Sequence, residues 1–148
     1  MFRNLLNRLF TDDPDPRPLA AEDAEVAIAA LLVRVARADD HYNAAEKRRI
    51  DEVLCRMHGI GPAEAAERRS VAEMIEAEAP DTVRFTRLIK DRVPPESRSS
   101  IIHALWEIAL SDNHRDKDEE SAIRLVSGLL GVTDRDSALQ RLRVAAAR

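Results

Sequence analysis

Apolar residues recur along this chain every three or four positions and nowhere in sustained alternation, so the pattern predicts helices and no strands. Phe2, Leu5, Leu6, Leu9 and Phe10 form one short amphipathic helix with Arg3 and Arg8 beside them. That helix is expected to dock on the rest of the chain. Thr11 to Pro18 reads as a linker, because three prolines alternating with acids and one arginine block helix. From Ala20 to Arg37 the chain is apolar almost all round, with Val26, Ile28, Leu31, Leu32, Val33 and Val35, as expected of a central buried helix. Asn43 to Met57 carries Ile50, Val53, Leu54 and Met57 on one face and ends at His58-Gly59-Ile60-Gly61-Pro62. A further helix runs from Pro62 to Ala79, and Pro80-Asp81 breaks it. The next holds Val83, Phe85, Leu88 and Ile89 and stops at Pro94-Pro95. Glu96 to Leu110 is the second strongly apolar helix, with Ile101, Ile102, Leu105, Trp106 and Ile108; Trp106 is expected in the core. Asp116 to Leu130 is amphipathic and closed by Gly131, and Thr133 caps the last helix.

The order of these elements repeats at an offset of 73 residues. Asp39, His41 and Glu46 recur as Asp112, His114 and Glu119, and Leu32-Val33-Arg34-Val35-Ala36 maps onto Leu105-Trp106-Glu107-Ile108-Ala109. The expected fold is all-α: a compact single-domain bundle of about seven helices with an internal pseudo-twofold repeat, plus the short N-terminal helix. Residues 1–18 form the helix and linker, and residues 19–148 the bundle. Arg34 and Glu107 occupy equivalent positions with opposite charge, and are expected to meet across the pseudo-axis.

Composition narrows the function. The 148 residues are 45% apolar and 34% charged, which is globular rather than disordered. A net charge of −4 gives no general electrostatic attraction to nucleic acid. The lone Cys55 excludes an intramolecular disulfide and fits a reducing compartment. No stretch reaches the roughly 20 apolar residues that span a bilayer, and residues 1–10 lack the core of a signal peptide. The cytoplasm is the expected location, with residues 1–10 a candidate for weak contact with a membrane surface.

The repeated loops hold the candidate chemistry. Asn43-Ala44-Ala45-Glu46 and Asp116-Lys117-Asp118-Glu119 are both capping boxes, and acids in a first turn suit the helix dipole. Capping leaves Asp39 and Asp112 unexplained, since each sits at the negative end of the preceding helix. Carboxylates gathered at such a turn are the oxygen donors that Ca²⁺ or Mg²⁺ takes. The loops are not EF-hands: counting from Asp112, position six is Lys117 and position twelve is Ile123. Lys117, Arg115 and the Lys47-Arg48-Arg49 run could neutralise the acids without an ion. No Glu-x-x-His, H-E-x-x-H, P-loop or G-x-S-x-G motif is present, so a non-enzymatic role with no organic cofactor is expected.

The run Ala38-Asp39-Asp40-His41-Tyr42-Asn43-Ala44-Ala45-Glu46, and its counterpart from Ser111 to Glu119, resembles the TerB-like tellurite-resistance family. It is also similar to the N-terminal region of DjlA-type membrane co-chaperones. The resemblance covers residues 20–146. It implies a bundle of about seven helices, acidic residues that bind a divalent cation, and a role in tellurite or other chemical stress, at the inner face of the membrane. Carried over to this chain, the ligands are Asp39, Asp40 and Glu46 with Asp112, Asp116 and Glu119. Family loops often have Gly after the first Asp, whereas this chain has Asp40 and Asn113. The first functional reading is a metal-responsive interaction module with a protein partner. The competing reading is a structural adaptor whose acidic loops serve only as helix caps.

Overall fold

A computed structural model describes residues 3–10, 20–38, 42–79, 81–111 and 117–147. It is all-α, and the described residues contain no strand. The helices are α1 (Arg3–Phe10), α2 (Ala21–Arg37), α3 (Ala44–His58), α4 (Pro62–Glu78), α5 (Thr82–Arg92), α6 (Arg98–Ala109), α7 (Lys117–Leu130) and α8 (Asp134–Ala146). A 3₁₀ turn, Pro95–Ser97, precedes α6, so that helix starts two residues later than its apolar pattern predicts. Prolines 94 and 95 cannot donate backbone hydrogen bonds, which delays the α-helical ladder.

The two helices that are apolar all round, α2 and α6, lie in the middle and pack on each other. Each also packs on its own two successors: α2 on α3 and α4, α6 on α7 and α8. The halves interlock, because α2 touches α7 and α3 touches α6. Helix α5 has no counterpart in the repeat and fills the space against α2 and α7. Leu31, Leu32, Ile50, Leu54, Phe85, Ile101, Ile102 and Leu105 are among the fully buried side chains of the core. Burying a side chain of this size contributes about 1.5–3 kcal/mol.

Local chemistry fixes the boundaries. Asn43 and Thr133 accept from the backbone N–H groups of Glu46 and Asp136 (3.0 and 3.1 Å), as the sequence predicts, and Asp81 does the same for Arg84 at 3.1 Å. Gly59 and Gly131 end α3 and α7 with φ of 63° and 76°, a conformation that disfavours side chains with a Cβ. Arg98 donates to the carbonyls of Val93 and Leu130, tying the ends of two helices to the start of α6.

Helix α1 docks as expected. Leu5 and Leu9 are fully buried, Arg8 pairs with Asp91 at 3.3 Å, and Arg84 donates to the Leu9 carbonyl at 3.0 Å.

Arg34 and Glu107 do not pair, contrary to the expectation from the repeat. Arg34 turns to the end of α4, reaching Glu76 Oε1 at 3.2 Å and Thr82 Oγ1 at 3.0 Å, and donates to the carbonyls of Glu76 and Ala79. Glu107 accepts two N–H groups from Arg56 and lies 3.3 Å from His103 Nε2. The physical reason is the interior between α2 and α6, which is packed with Ala, Val, Leu and Ile. An ion pair there would lose its hydration with few donors to replace it. The charges instead leave by the helix flanks.

Candidate ion site at the loop end of the bundle

Helix α3 begins beside Ser111, just past the end of α6. A cleft of ≈ 390 Å³ is lined by Asn43, Glu46, Arg48, Arg49, Glu52 and, from the end of α6, Ser111. Ser111 is the residue before Asp112 in the chain. The start of one half's amphipathic helix therefore adjoins the end of the other half's central helix, in keeping with the contact between α3 and α6. Glu46 itself is buried, at 4% exposure, although it stands in the first turn of its helix. Its repeat counterpart Glu119 is buried to the same degree, at 3%, in the first turn of α7. A carboxylate removed from water requires charge or hydrogen-bond compensation.

Of the six predicted ligands, the structure places Glu46 and Glu119. Asp39, Asp40, Asp112 and Asp116 lie outside the described residues, as do His41 and His114. Among the described residues, no three His, Cys, Asp or Glu side chains come together as a metal cluster.

The exit of the first loop is anchored by a residue that the sequence reading passed over. The Tyr42 ring lies between the Arg37 guanidinium at 5.0 Å and the Lys47 ammonium at 5.3 Å. Burial, with the Glu73 carboxylate nearby, raises the pKa of its phenol above the ordinary value. The same side chains continue into a network across α2, α3 and α4. Arg37 meets Glu76, Lys47 meets Glu73 at 3.8 Å, and Arg69 bridges Asp51 at 2.7 Å and Glu73 at 2.6 Å. Two members of the basic run thus have carboxylates on α3 and α4, since Arg49 pairs with Glu52 at 3.3 Å. The available signal for Tyr42 was its position: an aromatic residue five places from Arg37 and five from Lys47.

In the second half Trp106 is in the core, as predicted. Its Nε1 donates to Ser137 Oγ at 3.1 Å, and Ser127 donates to the Ile123 carbonyl at 2.8 Å while lying 3.3 Å from Ser137. The Arg141 guanidinium covers the indole at 4.9 Å and pairs with Glu120 at 3.0 Å.

The two described histidines are engaged in packing. His103 Nδ1 lies 3.1 Å from Gln140 Oε1 and Nε2 lies 3.3 Å from Glu107, so both ring nitrogens are occupied. His58 is half-buried beside Glu25 at 3.7 Å, and burial lowers its pKa below the ordinary imidazole value. Neither faces a serine, threonine or cysteine in a hydrogen-bonded nucleophile pair. No described helix is long and apolar enough to cross a membrane.

The family model described as tellurite resistance protein TerB matches residues 25–142. No curated protein and no solved structure matches the chain. The matched span runs from α2 into α8 and takes in both halves of the repeat, both acidic loops, and the buried Glu46 and Glu119. This chain therefore belongs to the TerB tellurite-resistance family.

Proposed function

We propose that this protein is a non-enzymatic helical module that binds a divalent cation, Ca²⁺ or Mg²⁺, at the loop end of the bundle. The observation that carries the reading is the burial of Glu46 and Glu119, two carboxylates at equivalent positions in the first turns of α3 and α7. Each follows directly on an acid-rich segment, and the cleft beside Glu46 reaches the residue before Asp112. The proposed ligands are Asp39, Asp40 and Glu46 with Asp112, Asp116 and Glu119. All are oxygen donors, which suits a hard cation. The module acts in the response to tellurite or a related chemical stress by engaging a protein partner, on the cytoplasmic side of the inner membrane.

The capping bond from Glu46 N–H to Asn43 Oδ1 favours a second reading, in which the loops only end and start helices. Calorimetric titration with Ca²⁺, Mg²⁺, Mn²⁺ and Zn²⁺ separates the two. Ion binding gives heat with the wild type and a weaker response in Asp39→Ala and Asp112→Ala. Absence of heat, and of any rise in unfolding midpoint, at about 1 mM ion would leave capping as the role of these acids. An ion at 100 times its dissociation constant stabilises the fold by about 2.7 kcal/mol, so the midpoint is a sensitive second readout.

A further inference from the structure

Helix α5 breaks the symmetry of the repeat, and the place it covers has an uncovered twin. It packs on α2 and α7. Its start meets Arg34, which donates to Thr82 Oγ1 at 3.0 Å and lies 5.3 Å from the centre of the Phe85 ring. Its end meets the end of α7, where Arg98 joins the carbonyls of Val93 and Leu130. At the offset of 73 residues, the corresponding place lies on α6 and α3, with Met57 standing where Leu130 stands. That place is open. A cleft of ≈ 480 Å³ is lined there by Arg56 and Met57 of α3, by Ser99, Ser100 and His103 of α6, and by Arg143 of α8. The cleft has the position of a helix seat.

Its chemistry differs from that of the filled seat. Val26, Ala27 and Ala30 of α2 are fully buried, whereas their counterparts Ser99, Ser100 and His103 are open or partly open to solvent. Helix α5 buries Phe85, Leu88 and Ile89. A helix for the open seat has to bring polar groups instead, and charge narrows which. No carboxylate lines the cleft. Arg143 is exposed and pairs with no acid among the described residues. Arg56 gives two N–H groups of its guanidinium to the buried Glu107, keeps three more, and has a side chain still 57% exposed. Two guanidinium groups therefore stand against one carboxylate, a local excess of base in a chain of net charge −4. Serines alone suffice to make an uncovered face wettable. The arginines do more, since they select the sign of what docks.

We propose that this cleft is the docking site for an acidic helix of a partner protein, seated on α6 between α3 and α8. Carboxylates on the flanks of that helix meet Arg56 and Arg143, and an apolar side chain meets the half-buried Met57. A helix of the length of α5, 11 residues, spans about 16 Å. The inference rests on the proposed function only in requiring a protein partner, and the cation site takes no part in it.

Fluorescence anisotropy on the full chain tests it, in buffer with a metal chelator, so that failure of the ion reading cannot pass for failure of this one. The probe is a labelled helical peptide of about 14 residues with glutamates flanking a leucine stripe, and its control has lysines in place of the glutamates. The acidic peptide is expected to bind with a dissociation constant of about 10–100 μM, and the control at least about ten-fold more weakly. Arg143→Glu and Ser100→Glu are each expected to weaken binding by about ten-fold. Both positions are exposed, so circular dichroism melts of these variants should match the wild type. Leu125→Glu, on an exposed residue of α7, leaves binding unchanged. Amide shifts on binding are expected at Ser99, Ser100, His103 and Arg143. The proposal is overturned if neither peptide binds at about 1 mM protein, if both bind equally, or if Arg143→Glu and Ser100→Glu leave binding unchanged. Inorganic phosphate that shifts these amides where the acidic peptide does not would assign the cleft to a small oxyanion and also overturn it.

Discussion

The two halves of the repeat share a helix pattern but are fastened differently. In the first half α2 is tied to α4 by charge: Arg34 and Arg37 reach Glu76, and Arg68 reaches Glu25 at 3.3 Å. In the second half the corresponding helices, α6 and α8, are joined by an indole N–H, a serine hydroxyl and a histidine–glutamine contact. Position 33 is a valine and its counterpart at 106 a tryptophan. Arg68 and its counterpart Arg141 differ too, since one pairs with α2 and the other with α7 while stacking on Trp106. What stays alike across the halves is the apolar interior and the burial of glutamates 46 and 119. The lesson is that the repeat constrains the interior and the loop end, whereas the fastening between flanking helices is free to take any chemistry that satisfies its polar groups.

Equal interiors are the strongest consequence. Leu32→Ala and Leu105→Ala occupy equivalent, fully buried positions. Each is expected to lower unfolding stability by about 3 kcal/mol in urea titrations. A large inequality between them would break the symmetry of the two central helices.

The unlike fastenings should respond unlike. Arg34→Ala removes an ion pair, a hydroxyl contact and two carbonyl caps at once, and is expected to cost about 2 kcal/mol. Ser137→Ala removes the acceptor of the Trp106 N–H, an expected loss of about 1 kcal/mol. Raising the salt concentration should shrink the first loss and leave the second unchanged, since screening acts on the partly exposed charges alone. Equal salt dependence in both variants would argue against the contrast.

Asn43→Ala and Thr133→Ala each remove the side-chain cap of one helix, α3 in the first half and α8 in the second, with an expected loss of about 1 kcal/mol in urea titrations.

The smallest expected effect concerns pH. Burial holds the folded pKa of His58 below its ordinary value of 6.5, so the folded state binds this proton less readily than the unfolded chain. Stability from this group is therefore full above pH 6.5 and falls as the pH drops below it. Replacing the residue, as in His58→Gln, should flatten that part of the stability–pH curve. A curve unchanged by the substitution would place the titrating group elsewhere.

Much of the fold was legible because interior patterns and helix ends have local causes. The all-round apolar runs at 20–37 and 96–110 marked the two central helices, and Asn43, Gly59, Gly131 and Thr133 marked ends that the structure reproduces. The polar partners were not legible. Arg34 and Glu107 look complementary in a repeat alignment, but partner choice depends on which flank of each helix meets which neighbour. The role of Tyr42 was not legible because its contacts, Arg37 and Lys47, come together only where α2 packs on α3. At the candidate site, the sequence marked Glu46 and Glu119 as cap residues and ligands. Their equal burial is a property of the assembled halves, and so is the approach of Ser111 to the start of α3.

The proposed cation site draws on both halves of the repeat, through Glu46 and Glu119 and the acids that precede them. Two-dimensional amide NMR of the full chain during a Ca²⁺ titration tests it most directly. Saturable shifts are expected at residues 38–46 and at residues 111–119 together, with the rest of both halves little changed. Shifts confined to one loop, or none at millimolar Ca²⁺ or Mg²⁺, would contradict it.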